Sequence, residues 1–195
     1  MSPTILFVRH SESVFNAANV WAGQLDPQLT DHGKNYAINI GEKYKNKKID
    51  QIISSDLIRA VEGSQIISKI SNIRKLPPDT RLRERHAGEW EGKKLTELAN
   101  DTLYKQYLQN FKTTPPGGEK YEFFTKRILS FMKDYTQKPY ITLAVCHYGV
   151  LQALSDYFGL ESQEHLPLEA GVKVTKTKSS TLSADFFNVN ELYQW

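Results

Sequence analysis

The pattern of apolar residues along the chain predicts three buried strands. Apolar runs of strand length cover Ile5–Val8, Ile49–Ile53 and Ile141–Val145, and they are rich in Ile, Val and Leu rather than alternating with polar residues. Runs of this kind are typical of strands buried on both faces, as in a parallel sheet with helices on either side. We therefore expect these three segments to form the centre of a sheet.

Stretches with helical periodicity lie between and after these strands. Residues 30–44, 121–135 and 149–158 each carry a stripe of apolar residues at helical spacing, and Thr30 can cap the first of them. Residues 172–189 are richer in β-branched residues and alternate more, so they are expected to add one or two strands. Alternating strand and helix signals predict an α/β fold in layers.

Composition and charge narrow the class of protein. The chain has 195 residues, 39% apolar and 24% charged, which predicts one globular domain spanning residues 1–195. Its net charge of +3 is modest, so neither nucleic acid nor a membrane is expected as a partner.

Cys146 is the single cysteine, which excludes an internal disulfide. The N-terminal residues lack the pattern of a signal peptide, and no run approaches the about 18 apolar residues that span a bilayer. We expect a cytoplasmic monomer or homodimer.

Basic residues follow each of the three predicted strands. Arg9 and His10 come directly after the first strand, Arg59 lies just inside the helix after the second, and His147 follows the third. Ligands of open α/β sheets bind beyond the carboxyl ends of the strands, so these side chains are expected to meet in one pocket. Arginine donors match phosphate oxygens, and a neutral histidine can attack phosphorus. The sequence therefore predicts a phosphoryl site, in which neighbouring cations keep His10 unprotonated.

Other phosphate chemistries fit the sequence poorly. A cysteine phosphatase needs an arginine six positions after its cysteine, but Gln152 stands six positions after Cys146. The segment "GEWEGKK", residues 88–94, is one residue short of a P-loop and lacks its hydroxyl residue. The five histidines are dispersed rather than paired at metal-ligand spacing. We therefore expect neither a metal ion nor another cofactor.

Five segments together resemble the histidine phosphatase superfamily. The resemblance extends from about residue 4 to residue 160. The branch that the chain resembles contains cofactor-dependent phosphoglycerate mutase, fructose-2,6-bisphosphatase, alpha-ribazole phosphatase and broad-specificity phosphatases. It implies a three-layer sandwich whose central sheet is mostly parallel and flanked by helices. The segments, in the family's order, are "RHSES" with Asn16, "SSDLIRA", "LRERHAGEWEG", "PPGGEKYEFF" and "AVCHYGVLQAL".

The resemblance also implies a role for individual residues. His10 matches the family's phosphorylated nucleophile, and Glu84 matches the acidic residue that protonates the leaving oxygen and then takes a proton from water. Gly23, which follows Ala22, matches a position where substrate approaches the backbone. The residues that would hold the phosphoryl group are Arg9, Asn16, Arg59 and His147, the last of which also counts among the catalytic residues.

Two residues depart from the family's pattern. Ser11 stands where a glycine usually follows the first histidine, and it could donate a hydrogen bond to phosphate or crowd the turn. Tyr148 stands where a glycine is common after the second histidine, and it is expected to shape the substrate entrance. Together with Ala22 and Gly23, these residues are candidates for substrate contacts.

The implied activity is metal-independent hydrolysis of a small-molecule phosphomonoester through a phosphohistidine, and two alternatives stay open. Mutases of the family are longer, with an insertion after the acidic residue that adds basic contacts, whereas Arg85 and Arg127 are the only arginines between Glu84 and His147. This difference favours hydrolysis over phosphoryl transfer. The second alternative is a weakly active phosphate-binding or scaffold module, which the Ser11 and Tyr148 departures leave open.

The leaving group is expected to contact the segment between Lys93 and Tyr121. This segment contains the aromatic residues Tyr104, Tyr107 and Phe111 beside lysines. Aromatic residues at such positions pack into the core more often than they contact substrate. We therefore interpret these three as core residues, and the natural substrate stays open.

Overall fold

The centre of the fold is a five-stranded sheet. The computed structural model describes residues 2–160 and 170–190, and within these the strands lie in the order β2-β3-β1-β4-β5. The bounds of the strands are Thr4–Arg9 for β1, Gln51–Ser54 for β2, Ile141–Cys146 for β3, Ala170–Lys176 for β4 and Leu182–Asn188 for β5.

Four of these strands run in one direction and β4 runs in the other. The pairings β1–β3 and β2–β3 are parallel, whereas β1–β4 and β4–β5 are antiparallel. The predicted mostly parallel sheet and the two additional C-terminal strands are therefore confirmed. The second strand starts later than predicted, because Ile49 still donates its N–H to Lys47 in a turn and pairing with β3 begins at Gln51.

Seven helices are found among the described residues, and three of them confirm the predicted helical stretches. The side chain of Thr30 caps α2 by accepting a hydrogen bond from the N–H of Gly33. The bounds are Val14–Ala17 for α1, Asp31–Tyr44 for α2, Ile58–Ser71 for α3, Leu95–Leu98 for α4, Thr102–Gln109 for α5, Tyr121–Tyr135 for α6 and Tyr148–Phe158 for α7, with short 3-10 helices at Thr80–Leu82 and Gly88–Trp90. No described helix is both long and apolar enough to cross a membrane.

Both faces of the sheet are covered, which explains why the central strands are continuously apolar. Along β1, Ile5 and Phe7 pack into one core with residues of α6 and α7, while Leu6 and Val8 pack into another with residues of α2 and α3. Side chains of successive strand residues point to opposite faces. A strand buried on both faces therefore needs apolar residues at every position.

A third, smaller cluster consists of aromatic residues packed edge to face. Trp21 and Trp90 pack against one another and against the buried rings of Tyr104 and Tyr107, and Phe111 joins the edge of the group. This aromatic cluster connects the segment after α1 with α5. It fixes the position of the chain segments that face the candidate site.

Candidate active site

A cavity of about 760 Å³ lies beyond the carboxyl ends of β1 and β3. Eight of the ten predicted site residues line this cavity, and Ser11 and His147 are buried next to it without forming its wall. Parallel pairing of β1 with β3 explains this convergence, because it places Arg9 beside Cys146 and lets the N–H of His10 donate to the Cys146 carbonyl at 2.9 Å. The eight lining residues are Arg9, His10, Asn16, Ala22, Gly23, Arg59, Glu84 and Tyr148.

Two hydrogen bonds define the tautomer of His10. Its Nδ1 lies 2.6 Å from the carbonyl oxygen of Ser11, which can only accept, so Nδ1 carries the proton. Its Nε2 accepts a hydrogen bond from Nε of Arg59 at 3.1 Å. Nε2 therefore carries the lone pair, and it is the ring nitrogen that can act as a nucleophile.

The two histidines of the site are kept neutral. Burial, followed by the charges of Arg59 and Arg9, holds the pKa of His10 well below its ordinary value of 6.5. Burial, followed by the charge of Arg59, does the same to the pKa of His147. The His147 ring packs edge-on against His10 with centroids 5.0 Å apart. Neither of its ring nitrogens has a hydrogen-bond partner among the described residues.

Arg59 is fully buried and held by a turn of the backbone. The first turn of α3 presents it, and its Nη1 and Nη2 donate to the carbonyls of Leu25 and Gly23 at 2.7 Å each. Gly23 has a φ of +49°, which a residue with a side chain adopts only with strain. The turn at residues 23–25 therefore sets the orientation of the guanidinium that contacts His10.

Arg9 is the second cation of the site. It ends β1, and its Nε is buried with no hydrogen-bond partner among the described residues. Its guanidinium carbon lies 5.7 Å from the centroid of the Tyr148 ring. Burial lowers the pKa of Arg9, while the nearby Glu84 opposes this shift. Arginine keeps its charge in proteins, so Arg9 and Arg59 form a cationic end of the cavity.

A capping box fixes the amide of Asn16. Its Oδ1 accepts hydrogen bonds from the backbone N–H of Ser13 at 3.0 Å and from the Ser13 hydroxyl at 2.8 Å. These donors identify which amide atom is the oxygen. The NH₂ group of Asn16 is therefore left as a donor at the cavity wall.

Glu84 is held at the cavity wall by two backbone donors. Its Oε1 accepts from the N–H of Arg85 at 2.8 Å, and its Oε2 accepts from the N–H of Gly149 at 3.1 Å. A β-carbon at position 149 would clash with Oε1 of Glu84. The close approach of this carboxylate therefore requires a glycine at position 149. Gly149 was not among the predicted site residues, although its position two residues after His147 could have indicated it.

Glu91 is a second residue that the sequence analysis missed. Its carboxylate, on a side chain that is 9% exposed, accepts through Oε1 from the N–H of Gln24 at 2.9 Å and from the N–H of Ala87 at 2.8 Å. The Gln24 side chain in turn donates to the Glu84 carbonyl at 3.0 Å. Glu91 therefore connects the turn that holds Arg59 with the loop that carries Glu84. In the sequence, only its position within "GEWEG", residues 88–92, could have indicated a role at the site.

The two residues that depart from the family's pattern occupy different places. The side chain of Ser11 is buried and is not part of the cavity wall, while its carbonyl oxygen lies 2.6 Å from Nδ1 of His10; a substrate contact of its side chain stays a prediction. Tyr148 lines the cavity, and its hydroxyl lies 3.4 Å from Oε1 of Gln152.

The aromatic residues between Lys93 and Tyr121 are only partly core residues. Tyr104 packs in the aromatic cluster, as expected, but Tyr107 and Phe111 both pack there and line the cavity. Among residues 2–160 and 170–190, no three His, Cys, Asp or Glu side chains are grouped so that they could hold a metal ion.

Comparisons with known proteins identify the family. The family model of the histidine phosphatase superfamily (branch 1) matches residues 5–185. A putative phosphoserine phosphatase 2 from Hydrogenobacter thermophilus is 34% identical over 154 residues, covering 77% of this chain and 75% of that protein. Phosphoglycerate mutase-like protein 4 from Arabidopsis thaliana is 32% identical over 157 residues, covering 77% and 68%.

The fold is also shared with a solved structure. Mycobacterial glucosyl-3-phosphoglycerate phosphatase, solved in complex with VO3, superimposes with a TM-score of 0.83 over 96% of this chain and 99% of that one, at 19% sequence identity. Likeness at this identity concerns the fold alone. The match of the family model over most of the chain goes further, and the protein belongs to branch 1 of the histidine phosphatase superfamily.

Proposed function

We propose that the protein is a metal-independent phosphatase that hydrolyses a small-molecule phosphomonoester through a phosphohistidine at His10. The observation that carries this proposal is the state of His10, a buried neutral ring whose Nε2 accepts a hydrogen bond from Arg59 in a cavity that Arg9 also lines. Such a ring is a nucleophile placed where a phosphoryl group would be bound. Membership of the family and the names of its relatives support the same reaction.

In the first step, Nε2 of His10 attacks phosphorus and the bond from phosphorus to the leaving oxygen breaks. Glu84 gives its proton to that oxygen, because an alkoxide is a poor leaving group without an acid. Arg9, Arg59, Asn16 and His147 offer donors to the phosphoryl oxygens. The hydrogen bond from Nδ1 to the Ser11 carbonyl supports the positive charge that the ring gains.

In the second step, a water molecule attacks phosphorus and the nitrogen–phosphorus bond breaks. The ionised Glu84 takes a proton from this water, so that phosphate is released and both His10 and Glu84 return to their starting states. One carboxyl group thus serves both steps as acid and then as base. The two backbone donors keep its oxygens at the same place throughout.

Contacts of the two arginines between Glu84 and His147 support hydrolysis over the mutase alternative. Arg85 donates through Nε to the Glu119 carbonyl, and Arg127 binds the Glu119 carboxylate and the carbonyls of Arg81 and Arg83. Arg127 is therefore used within the protein, as are Nε and Nη1 of Arg85, and the remaining Nη2 of Arg85 is buried, so neither arginine presents an exposed contact to a second anionic group. The ordered acid and nucleophile favour an active enzyme over a scaffold module.

The central test is hydrolysis of phenyl phosphate in the presence of a chelator. We expect phosphate release to continue with EDTA and to be abolished in His10→Ala, because the nucleophile is removed. His32→Ala is the matched control, since His32 is exposed and does not line the cavity, and it should keep full activity. Activity that persists in His10→Ala, or that EDTA abolishes, would contradict the mechanism.

Trapping of the intermediate and a product assay complete the test. Rapid quenching should leave acid-labile, alkali-stable phosphate on His10, and peptide mapping to another residue would exclude the proposed nucleophile. With 3-phosphoglycerate, release of inorganic phosphate without 2-phosphoglycerate is expected, and formation of 2-phosphoglycerate would favour the mutase.

We further propose that the protein acts as a single domain in the cytoplasm, as a monomer or homodimer, without nucleic acid or membrane as a partner. The modest net charge of +3 and the single, buried cysteine support this proposal.

A further inference from the structure

We infer that the leaving group of the natural substrate is uncharged and apolar. This inference rests on the proposed function and concerns the part of the cavity beyond the phosphoryl group. Its lining there includes apolar side chains from the segment after α1 and from the chain around α4 and α5, beside the uncharged polar side chains of Gln109 and Gln152. The apolar side chains, which we call the apolar wall, are Val20, Trp21, Leu95, Leu108 and Phe111.

The apolar wall is rigid at its base and exposed at its rim. The Trp21 ring is packed edge to face against Tyr104 and Tyr107, with centroids 5.5 Å apart in each case. Leu108 is 63% exposed at the cavity, although Tyr104 and Tyr107 on the same helix are buried. Exposed apolar surface beside a polar site is typical of a place that a ligand covers.

Charge at the cavity wall argues against a second anionic group on the substrate. Arg9 and Arg59 are assigned to the transferred phosphoryl group in the proposed mechanism. Arg85 lines the cavity too, but its Nε and Nη1 donate to the carbonyls of Glu119 and Phe111, and its Nη2, which has no hydrogen-bond partner among the described residues, is buried.

The other charged groups on the wall do not change this balance. His86 lies 3.7 Å from the carboxylate of Glu91, so that carboxylate already faces it as a counter-charge. No lysine of residues 2–160 or 170–190 lines the cavity, whereas the carboxyl group of Glu84 does. A carboxylate on the leaving group would therefore lose its hydration without gaining a counter-charge. An apolar leaving group would instead cover apolar surface.

The inference is tested with two alkyl phosphates of similar length, 3-phenylpropyl phosphate and 4-(phosphonooxy)butanoate. Both esters have a primary alcohol as the leaving group, so the chemical step is closely matched. A difference in kcat/KM between them therefore reports the effect of the distal group. We expect kcat/KM to be higher for the phenylpropyl ester by at least about tenfold, mainly through KM. Equal values, or a preference for the carboxylate, would overturn the inference.

A pair of variants assigns the preference to the apolar wall. Leu108→Lys replaces an exposed apolar side chain by a cation, so the ratio of the two kcat/KM values should fall several-fold. Phe123→Lys is the control, because Phe123 is 57% exposed but does not line the cavity, and its ratio should equal that of the unaltered protein. An unchanged ratio in Leu108→Lys would overturn the assignment. Failure to hydrolyse either ester and phenyl phosphate would instead overturn the proposed function.

Discussion

At the scale of single residues, a glycine decides where the proposed acid lies. Gly149 donates its N–H to Glu84, and its α-carbon is so close to that carboxylate that a methyl group would occupy the place of an oxygen. The acid is therefore positioned by the absence of a side chain. Neither Glu84 nor Gly149 reveals this dependence when the sequence of each segment is considered alone.

Gly149→Ala is expected to slow the reaction by displacing Glu84. General acids contribute at least about 100-fold, so kcat for alkyl phosphates should fall by a similar factor. Aryl phosphates should be slowed less, because phenolate leaves more readily without a proton, and Glu84→Gln should show the same selectivity. Steady-state kinetics with matched alkyl and aryl phosphates measures the loss of kcat for each class of substrate.

Gly63→Ala is the matched control for this substitution. Gly63 lies inside α3, and an added β-carbon there would meet only Leu29, at an ordinary contact distance of 3.8 Å. Alanine favours helix over glycine by up to about 1 kcal/mol, so this variant should be fully active and no less stable. Equal slowing of alkyl and aryl phosphates by Gly149→Ala would contradict positioning of the acid.

At the scale of elements, one carboxylate connects two segments of the site. Glu91 joins the turn at residues 23–25 to the loop of residues 84–87 through two backbone donors. The first segment holds Arg59 and the second carries Glu84. Loss of this connection should therefore affect binding of the phosphoryl group and transfer of the proton together.

Glu91→Ala is expected to weaken inhibition by vanadate and to raise KM, because the N–H groups of Gln24 and Ala87 lose their acceptor. An N–H group without a partner costs about 1–3 kcal/mol when it is fully buried. Glu91→Gln keeps an oxygen that can accept from both donors, so it should restore most of the activity. Glu89→Ala is the control, because Glu89 lies in the same loop but is exposed. Inhibition constants and unfolding by urea are measured for all three. A Glu91→Ala protein with an unaltered vanadate constant would exclude this positioning role.

The sequence predicted the central elements well, and it predicted the contacts between loops poorly. Continuous apolar runs identify β1 and β3 because both faces of each strand are buried. Arg9, His10 and Arg59 could be placed together because they follow strands that share an edge. The contacts of Glu91 and Gly149 could not be predicted, because each joins a carboxylate to a backbone N–H 65 to 67 positions away without a periodic pattern, one in a turn and the other at the start of α7.

At the scale of the whole molecule, burial of two neutral histidines makes stability depend on pH. The pKa values of His10 and His147 are held well below 6.5 in the folded protein. In the unfolded chain each ring takes up a proton near pH 6.5. Below that pH the unfolded state binds more protons than the folded state, so stability is highest above pH 6.5 and falls as pH decreases.

The free energy of unfolding should therefore decrease between pH 7.5 and pH 5.5, with a slope approaching about 1.4 kcal/mol per pH unit for each ring at the acid end. Urea unfolding at pH 7.5, 6.5 and 5.5 measures it. His10→Gln combined with His147→Gln should flatten the dependence, whereas His32→Gln should not, because His32 is exposed. An equally steep dependence in the double variant would assign the effect to other groups.

The hydrogen bond from Arg59 to His10 has a consequence for the order of events at the site. The N–H of Arg59 occupies the same lone pair of Nε2 that attacks phosphorus in the proposed mechanism. A phosphoryl oxygen that draws this N–H toward itself uncovers the lone pair in the same movement. A neutral molecule competes far less well for the guanidinium and leaves the pair covered. In the proposed mechanism, the anionic charge of the substrate thus releases the group that attacks it, so selection begins before any covalent bond changes.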